Sequence, residues 1–130
     1  MSDLTEARLR TLEKRLADRE TELQARVRAY KEQAAERPSA QGPNVEDTGE
    51  DGEERFRSGI EHVELMRDQE ELADIAEARA RIADGRYGGC VDCGQAISFE
   101  RLSAQPTAKR CIKDQEAWEK KHGSSLRYTA

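Results

Sequence analysis

Cys90-Val91-Asp92-Cys93 and, after seventeen intervening residues, Cys111-Ile112-Lys113-Asp114 decide how this chain is read. The frame is C-x2-C-x17-C-x2-D. A C-x2-C pair set about 15–20 residues from a second x2 pair is the spacing of a structural zinc site. Each short pair turns two side chains toward one point, and the long span lets the chain return to close a tetrahedron. The fourth corner here is Asp114, a carboxylate where a thiolate is usual. Zinc accepts carboxylate oxygen, and three thiolates with one carboxylate carry the formal charge of four thiolates. Oxygen is the harder donor, so a lower affinity is expected. The residues alone leave three arrangements open. Zinc is held by Cys90, Cys93, Cys111 and Asp114; or by the three thiolates with water or another group; or the finger packs without a stable metal. Neither His62 nor His122 substitutes well, since His62 lies in a distant helix and His122 three turns beyond Cys111.

The bulk of the chain fits a small metal-supported head on an elongated body. Of 130 residues, 38% are charged and 35% hydrophobic, with a mean hydropathy of −0.97. Such a chain cannot bury a large core. The net charge of −5 and pI near 5.2 argue against direct non-specific DNA binding, which needs clustered Lys and Arg. No segment approaches the roughly 18 apolar residues of a membrane span. Met1 to Arg15 is charged throughout and lacks the apolar stretch of a secretory signal, so a cytoplasmic protein is expected. In a reducing compartment three cysteines at these spacings are metal ligands or redox thiols rather than disulfides.

Working outward from the cysteines, residues 3–36 read as one helix with an Asp3/Glu6 capping box. Leu9, Leu12, Leu16, Leu23 and Tyr30 form a heptad seam interrupted by Arg19 and Arg26. Arg37-Pro38 ends it. Residues 38–52 read as a loop that turns acidic toward its end, punctuated by Pro38, Gly42, Pro43, Gly49 and Gly52. A second helix is expected over 53–84, with Asp51 as its cap and Phe56, Ile60, Val63, Leu65, Leu72, Ile75 and Ile82 as apolar positions that shift phase after Val63. Pairing the two seams antiparallel buries both. A parallel dimer is the alternative to the expected monomer. The fold class is therefore mainly α: an antiparallel coiled-coil hairpin (1–84) with an acidic tip, a small zinc-finger head (85–123) with a C-terminal helix over 112–122, and a tail (124–130). Ile97, Phe99, Leu102, Ile112 and Trp118 are the expected apolar packet of the head, which is small enough that a metal is expected to supply much of its folding energy.

The runs Asp84-Gly85-Arg86-Tyr87-Gly88-Gly89-Cys90, Cys93-Gly94, and Arg101-Leu102-Ser103-Ala104-Gln105-Pro106-Thr107-Ala108 followed by Cys111-Ile112 resemble the DksA/TraR zinc-finger family. The detailed match covers residues 82–122. The resemblance implies a transcription regulator that binds bacterial RNA polymerase directly, inserts its hairpin into the secondary channel and does not bind DNA. It implies that acidic tip residues approach the catalytic region; the best register places Asp47 and Glu50 there, with Gly52 where a small apolar residue is usual. It also implies basic residues for guanosine tetraphosphate in long members. The aligned positions here are Asp74, Gln105 and Gln115, none cationic, so that alarmone site is not expected to form.

An enzyme is not expected. Three-ligand zinc with an open corner is a catalytic pattern, but no H-x-E or H-E-x-x-H motif is present and the head offers little cleft. Two rival functions stay in view. One is a thiol sensor in which Cys90 and Cys93 oxidise and release zinc. The other is a coiled-coil adaptor for another protein partner. The basic residues Arg86, Arg101, Lys109, Arg110 and Lys113 either touch an acidic partner or balance the thiolates.

Overall fold

The computed structural model describes residues 3–36 and 49–123, with side chains described over 3–35 and 59–123. Four helices follow in order: α1 Glu6–Glu36, α2 Gly49–Asp84, α3 Phe99–Ala104 and α4 Ile112–His122. Among the described residues there is no strand, only an isolated antiparallel bridge between Gly89 and Ala96. The mainly helical hairpin-and-head architecture is the expected one.

The two long helices pair antiparallel, because contacts rise along α1 as they fall along α2 from Glu20–Arg79 through Arg26–Asp68 to Tyr30–Glu64. Arg79 pairs with Glu20, Glu71 with Arg19, Asp68 with Arg26, and Glu64 with Tyr30. Between these rungs Leu16 and Leu23 pack on Ile75 and Ala78, flanked by Leu72 and Ile82. The arginines that interrupt the α1 seam are thus answered by acids of α2. Arg19 binds Glu71 as a fork, Nε to Oε2 at 2.7 Å and an Nη to Oε1 at 3.0 Å. Arg26 Nε lies 3.1 Å from Oδ2 of Asp68, a residue only 3% exposed.

This pairing corrects the expected α2 seam in its first half. Ile60 and Val63 of that seam are 45% and 58% exposed, as is Met66 outside it at 50%. With Asp68 turned into the interface, the helical period carries residues 60, 63 and 66 away from α1. Two helix starts also differ from expectation. α2 begins at Gly49, so residues 49–52 of the expected loop are helical and Asp51 lies inside the helix rather than at its cap. The rest of that loop, Asp47 included, the side chain of Glu50, and the tail 124–130 lie outside the described residues. α1 begins at Glu6, where the Thr5 hydroxyl accepts the Arg8 N–H at 3.2 Å. The Asp3/Glu6 capping box does not form, and Asp3 is used elsewhere.

The head has its own core of Cys90, Ile97, Leu102 and Ala108, completed by Leu12 of α1 and flanked by Leu4, Tyr87, Phe99 and Cys111. Ile97 and Leu102 are 1% and 0% exposed, as their place in the expected packet requires. Ile112 is 56% exposed and is not part of it. Trp118 is half-buried outside this core, stacked on His122 at 4.5 Å and lying under the Arg110 guanidinium at 5.2 Å.

Candidate metal centre

The local fold of 85–97 is a tight hairpin built to present Cys90 and Cys93. Gly85 takes φ +76 at the end of α2 and lets the chain leave the helix, as its place after the last periodic residue predicts. Arg81, in the last turn of α2 and 6% exposed, donates to the carbonyls of Gly89 and Arg86 and so fixes the hairpin to the arm. The Cys90 N–H donates to the Gln95 carbonyl at 2.8 Å, and the Gly94 N–H returns to the Cys90 carbonyl at 3.0 Å. That closed turn aims both sulfurs the same way.

The second pair arrives on the start of α4. Cys111 is the N-cap residue but makes no side-chain capping bond, which leaves its sulfur available. Asp114 stands three residues on, in the first turn, so its carboxylate shares a face with that sulfur and faces the positive helix end. Two cross-links bring the pairs together. The Val91 N–H donates to the Lys109 carbonyl at 2.9 Å, and Arg110 pairs with Asp92 at 2.8 Å.

All four expected ligands meet. The sulfurs of Cys90, Cys93 and Cys111 and a carboxylate oxygen of Asp114 lie within 4.8 Å of one another. Cys90 Sγ is 3.1 Å from Asp114 Oδ2, and Cys93 Sγ is 4.0 Å from Cys111 Sγ. A tetrahedron with Zn–S near 2.3 Å requires sulfurs about 3.8 Å apart. The set is therefore close to the size that one zinc ion requires. The four groups hold their protons unevenly. Hydrogen bonds from Cys90, Cys93 and Cys111 keep the Asp114 carboxyl below its ordinary range. Burial opposes ionisation of Cys90, yet the N–H groups of Cys111 and Cys93 favour its thiolate and bring its pKa down. The Gln95 N–H favours the Cys93 thiolate, but Asp114 and the other thiols push that group up to about 12.

Beside the metal centre lies a cavity of about 190 Å³. Asp74, Gln105 and Gln115 all line it, together with Arg81, Lys109 and Trp118. Three positions aligned by counting thus converge in space. Their cationic neighbours are engaged: Lys109 with Glu77, Arg110 with Asp92, and Arg101 Nε with the Arg110 carbonyl at 2.8 Å.

Two functional elements were not foreseen. One is α3, whose Ser98 cap accepts the Arg101 N–H at 3.1 Å; Ser98 ahead of Phe99-Glu100-Arg101 is a capping signal, but six residues are too few to show a period. The other is the anchor role of Arg81, for which the sequence carries no sign.

Comparison with known proteins extends the match beyond the finger. The model of the prokaryotic dksA/traR C4-type zinc finger matches residues 85–116. The RNA polymerase-binding transcription factor DksA of Caulobacter vibrioides is 38% identical over 50 residues, 38% of this chain and 35% of that protein. General stress protein 16O of Bacillus subtilis is 40% identical over 48 residues, 37% and 29% of the two chains. These matches span about a third of the curated relatives' length. Two solved structures extend over the arm as well. DnaK suppressor protein from Agrobacterium tumefaciens superposes with a TM-score of 0.51 at 32% identity, covering 84% of this chain and 92% of that one. Transcription factor DksA2 from Pseudomonas aeruginosa superposes with a TM-score of 0.75 at 30% identity, covering 94% of this chain and 91% of that one. Arm, head and finger sequence agree, and the chain belongs to the DksA/TraR zinc-finger family, with Asp114 at the fourth ligand position.

Proposed function

We propose that this chain regulates transcription by binding bacterial RNA polymerase directly, with the arm (1–84) entering the secondary channel and the head (85–123) setting its position. The observation that carries this reading is the superposition of arm and head together on DksA2 over 94% of the chain. A shared finger alone would say nothing about the arm. Action is stoichiometric and by contact, with no catalysed reaction and no DNA contact, in the cytoplasm and as a monomer. The net charge of −5 suits a protein partner over a phosphate backbone. Zinc is held by Cys90, Cys93, Cys111 and Asp114 and supplies folding energy to a head whose own core is small. Asp47 and Glu50 act at the tip. The guanosine tetraphosphate site is not built, because Asp74, Gln105 and Gln115 bring no positive charge and Lys109 and Arg110 beside them are already paired with acids.

The test is a pull-down with purified bacterial RNA polymerase core, using the wild type and the Asp47→Ala, Glu50→Ala double variant. Zinc content and transcriptional effect are measured on the same preparations. Binding by both, one zinc per chain and a transcriptional effect confined to the wild type are expected. A folded, zinc-loaded protein that does not bind polymerase overturns the reading and leaves the adaptor alternative.

A second reading, thiol sensing on top of polymerase binding, is favoured by one observation. Cys93 is exposed and its sulfur lies 4.0 Å from that of half-buried Cys111, whereas Cys90 is 4% exposed. The accessible pair is then Cys93 and Cys111 rather than Cys90 and Cys93, with zinc ligation supplying the thiolate that the Cys93 thiol, pushed up to about 12, would not otherwise form. A peroxide would accept the two electrons, a disulfide would form, the peroxide oxygens would leave as water, and zinc would be released. Zinc release by dilute peroxide that reductant reverses supports it; zinc retention refutes it.

A further inference from the structure

Two residues ahead of α1 reach across to the head. The Asp3 carboxylate accepts the Phe99 N–H, at 3.1 Å to Oδ1 and 3.3 Å to Oδ2. Arg8 holds this segment from behind, donating to the Asp3 carbonyl at 2.8 Å while its guanidinium lies 4.5 Å over the Phe99 ring. Leu4 packs on the head core. It sits against Gly88, where a Cβ would come within 2.9 Å of Leu4 Cδ2, so any larger residue there would make Leu4 shift. Gly88 also takes φ +89, a conformation glycine adopts freely.

These contacts fall on both ends of the metal hairpin. Gly88 stands two residues before Cys90. Its carbonyl accepts the Ile97 N–H at 2.7 Å, and the Gly89–Ala96 bridge lies just inside that bond. Phe99 follows Ile97 by two residues and opens α3. Leu4 therefore presses on the entry of the hairpin and Asp3 holds its exit, while the sulfurs of Cys90 and Cys93 sit between. Undocking this strap need not unwind the arm, because α1 starts at Glu6 with its own Thr5 cap.

We propose that Asp3 and Leu4 are positioning residues for the zinc ligands, so that docking of this strap and metal loading favour each other. The inference rests on the zinc reading above. Metal binding orders the hairpin that the strap recognises. By linkage, a strap that favours the ordered hairpin must favour the metal by the same factor.

The test uses the full chain. Zinc affinity is measured by competition with a chromophoric chelator, and protection of the Phe99 amide by hydrogen exchange. The variants are Asp3→Ala/Leu4→Ala, Asp3→Ala alone and Asp3→Asn, with arm helicity as the folding control. The double variant should bind zinc about 10-fold more weakly, inside the usual range of coupling between sites. Asp3→Ala should fall between it and the wild type, and keeps the question open should the double variant not fold. Asp3→Asn should stay near wild type, because an amide oxygen also accepts the N–H. Phe99 protection should drop in the alanine variants and, in the wild type, on chelation. Unchanged zinc affinity in a folded alanine variant overturns the coupling. An unprotected Phe99 amide in zinc-loaded wild type overturns docking itself. A wild type that takes up no zinc overturns the metal reading and the coupling with it, while Phe99 protection still reports whether the strap docks.

Discussion

Asp114 is the residue on which the candidate metal centre differs from four thiolates. Its carboxylate lies 3.1 Å from Cys90 Sγ and shares the first turn of α4 with the Cys111 cap. Replacing oxygen by sulfur at this corner gives zinc a softer donor. Asp114→Cys should therefore bind zinc more tightly than the wild type. Asp114→Ala should lose more than the 10–100-fold typical of an outer-shell partner, about the least that a ligand can cost. Competition titration of the three proteins orders them, and equal affinity for wild type and Asp114→Ala would remove Asp114 from the ligand set. Tyr87 makes a separate prediction. It packs against both cores and donates its hydroxyl to the Pro106 carbonyl at 2.7 Å. Burial pushes its pKa up to about 12. The unfolded phenol ionises near 10, so between those values only the unfolded chain gains by losing the proton. Stability from this source is complete below about pH 10 and is lost as pH rises toward 12. Tyr87→Phe should be less stable than wild type at pH 8, lacking the hydrogen bond, and the gap should narrow by pH 11. Thermal melts at the two pH values check this; a gap that widens would contradict it.

Pairing of α1 with α2 is decided by polar rungs as much as by leucines. Arg19 forks onto Glu71, whose side chain is 12% exposed, so Arg19→Ala leaves a nearly buried carboxylate without its partner. The cost should be about 1–3 kcal/mol, read as a lower urea midpoint. Asp68 behaves differently. Burial raises its pKa, and Arg26 and Arg19 offset only part of that. A carboxyl with a raised folded pKa contributes most at low pH and loses that contribution as pH rises through its folded value. Asp68→Leu should therefore be neutral or stabilising by about 1 kcal/mol at pH 7, since Arg26 is 42% exposed on its side chain and can rehydrate. Near pH 4 the advantage should shrink. A loss as large as that of Arg19→Ala would show that the Asp68 pair stabilises the arm after all. These rungs also explain what was legible. Leu12, Leu16, Leu23, Ile75 and Ile82 could be read from heptads, as could the helix ends at Gly85 and Gly123, because period and glycine chemistry are local. The convergence of Cys90, Cys93, Cys111 and Asp114 could be read from spacing for the same reason. The outward turn of Ile60, Val63 and Met66 could not, since it depends on which acid of α2 meets which arginine of α1. Nor could the use of Asp3, whose partner Phe99 lies 96 residues away.

At the scale of the whole molecule, the arm and head differ in what holds them. The arm closes around Leu16, Leu23, Ile75 and Ala78 and is laced by its ion pairs. The head owns only Cys90, Ile97, Leu102 and Ala108 and takes Leu12 from the arm. Structural zinc contributes roughly 10–16 kcal/mol to finger folding, more than so few apolar side chains can replace. Chelation at neutral pH should therefore unfold the chain in part. The Cys90, Val91 and Ile97 amides, bonded to Gln95, Lys109 and Gly88, should lose their protection, while those of α1 and α2 about Leu23 and Ile75 keep theirs. The boundary should fall at Arg81, which is anchored in α2 but donates to two carbonyls of the head hairpin. Hydrogen exchange on zinc-loaded and chelated protein resolves the two regions. Loss of protection throughout both long helices would mean that Leu12, Tyr87 and Arg81 join them into one cooperative unit. In the expected outcome the metal governs how the head sits on the arm without governing whether the arm exists. Polymerase binding should then fall on chelation while the helical signal of α1 and α2 remains, and zinc added back should restore both head protection and binding.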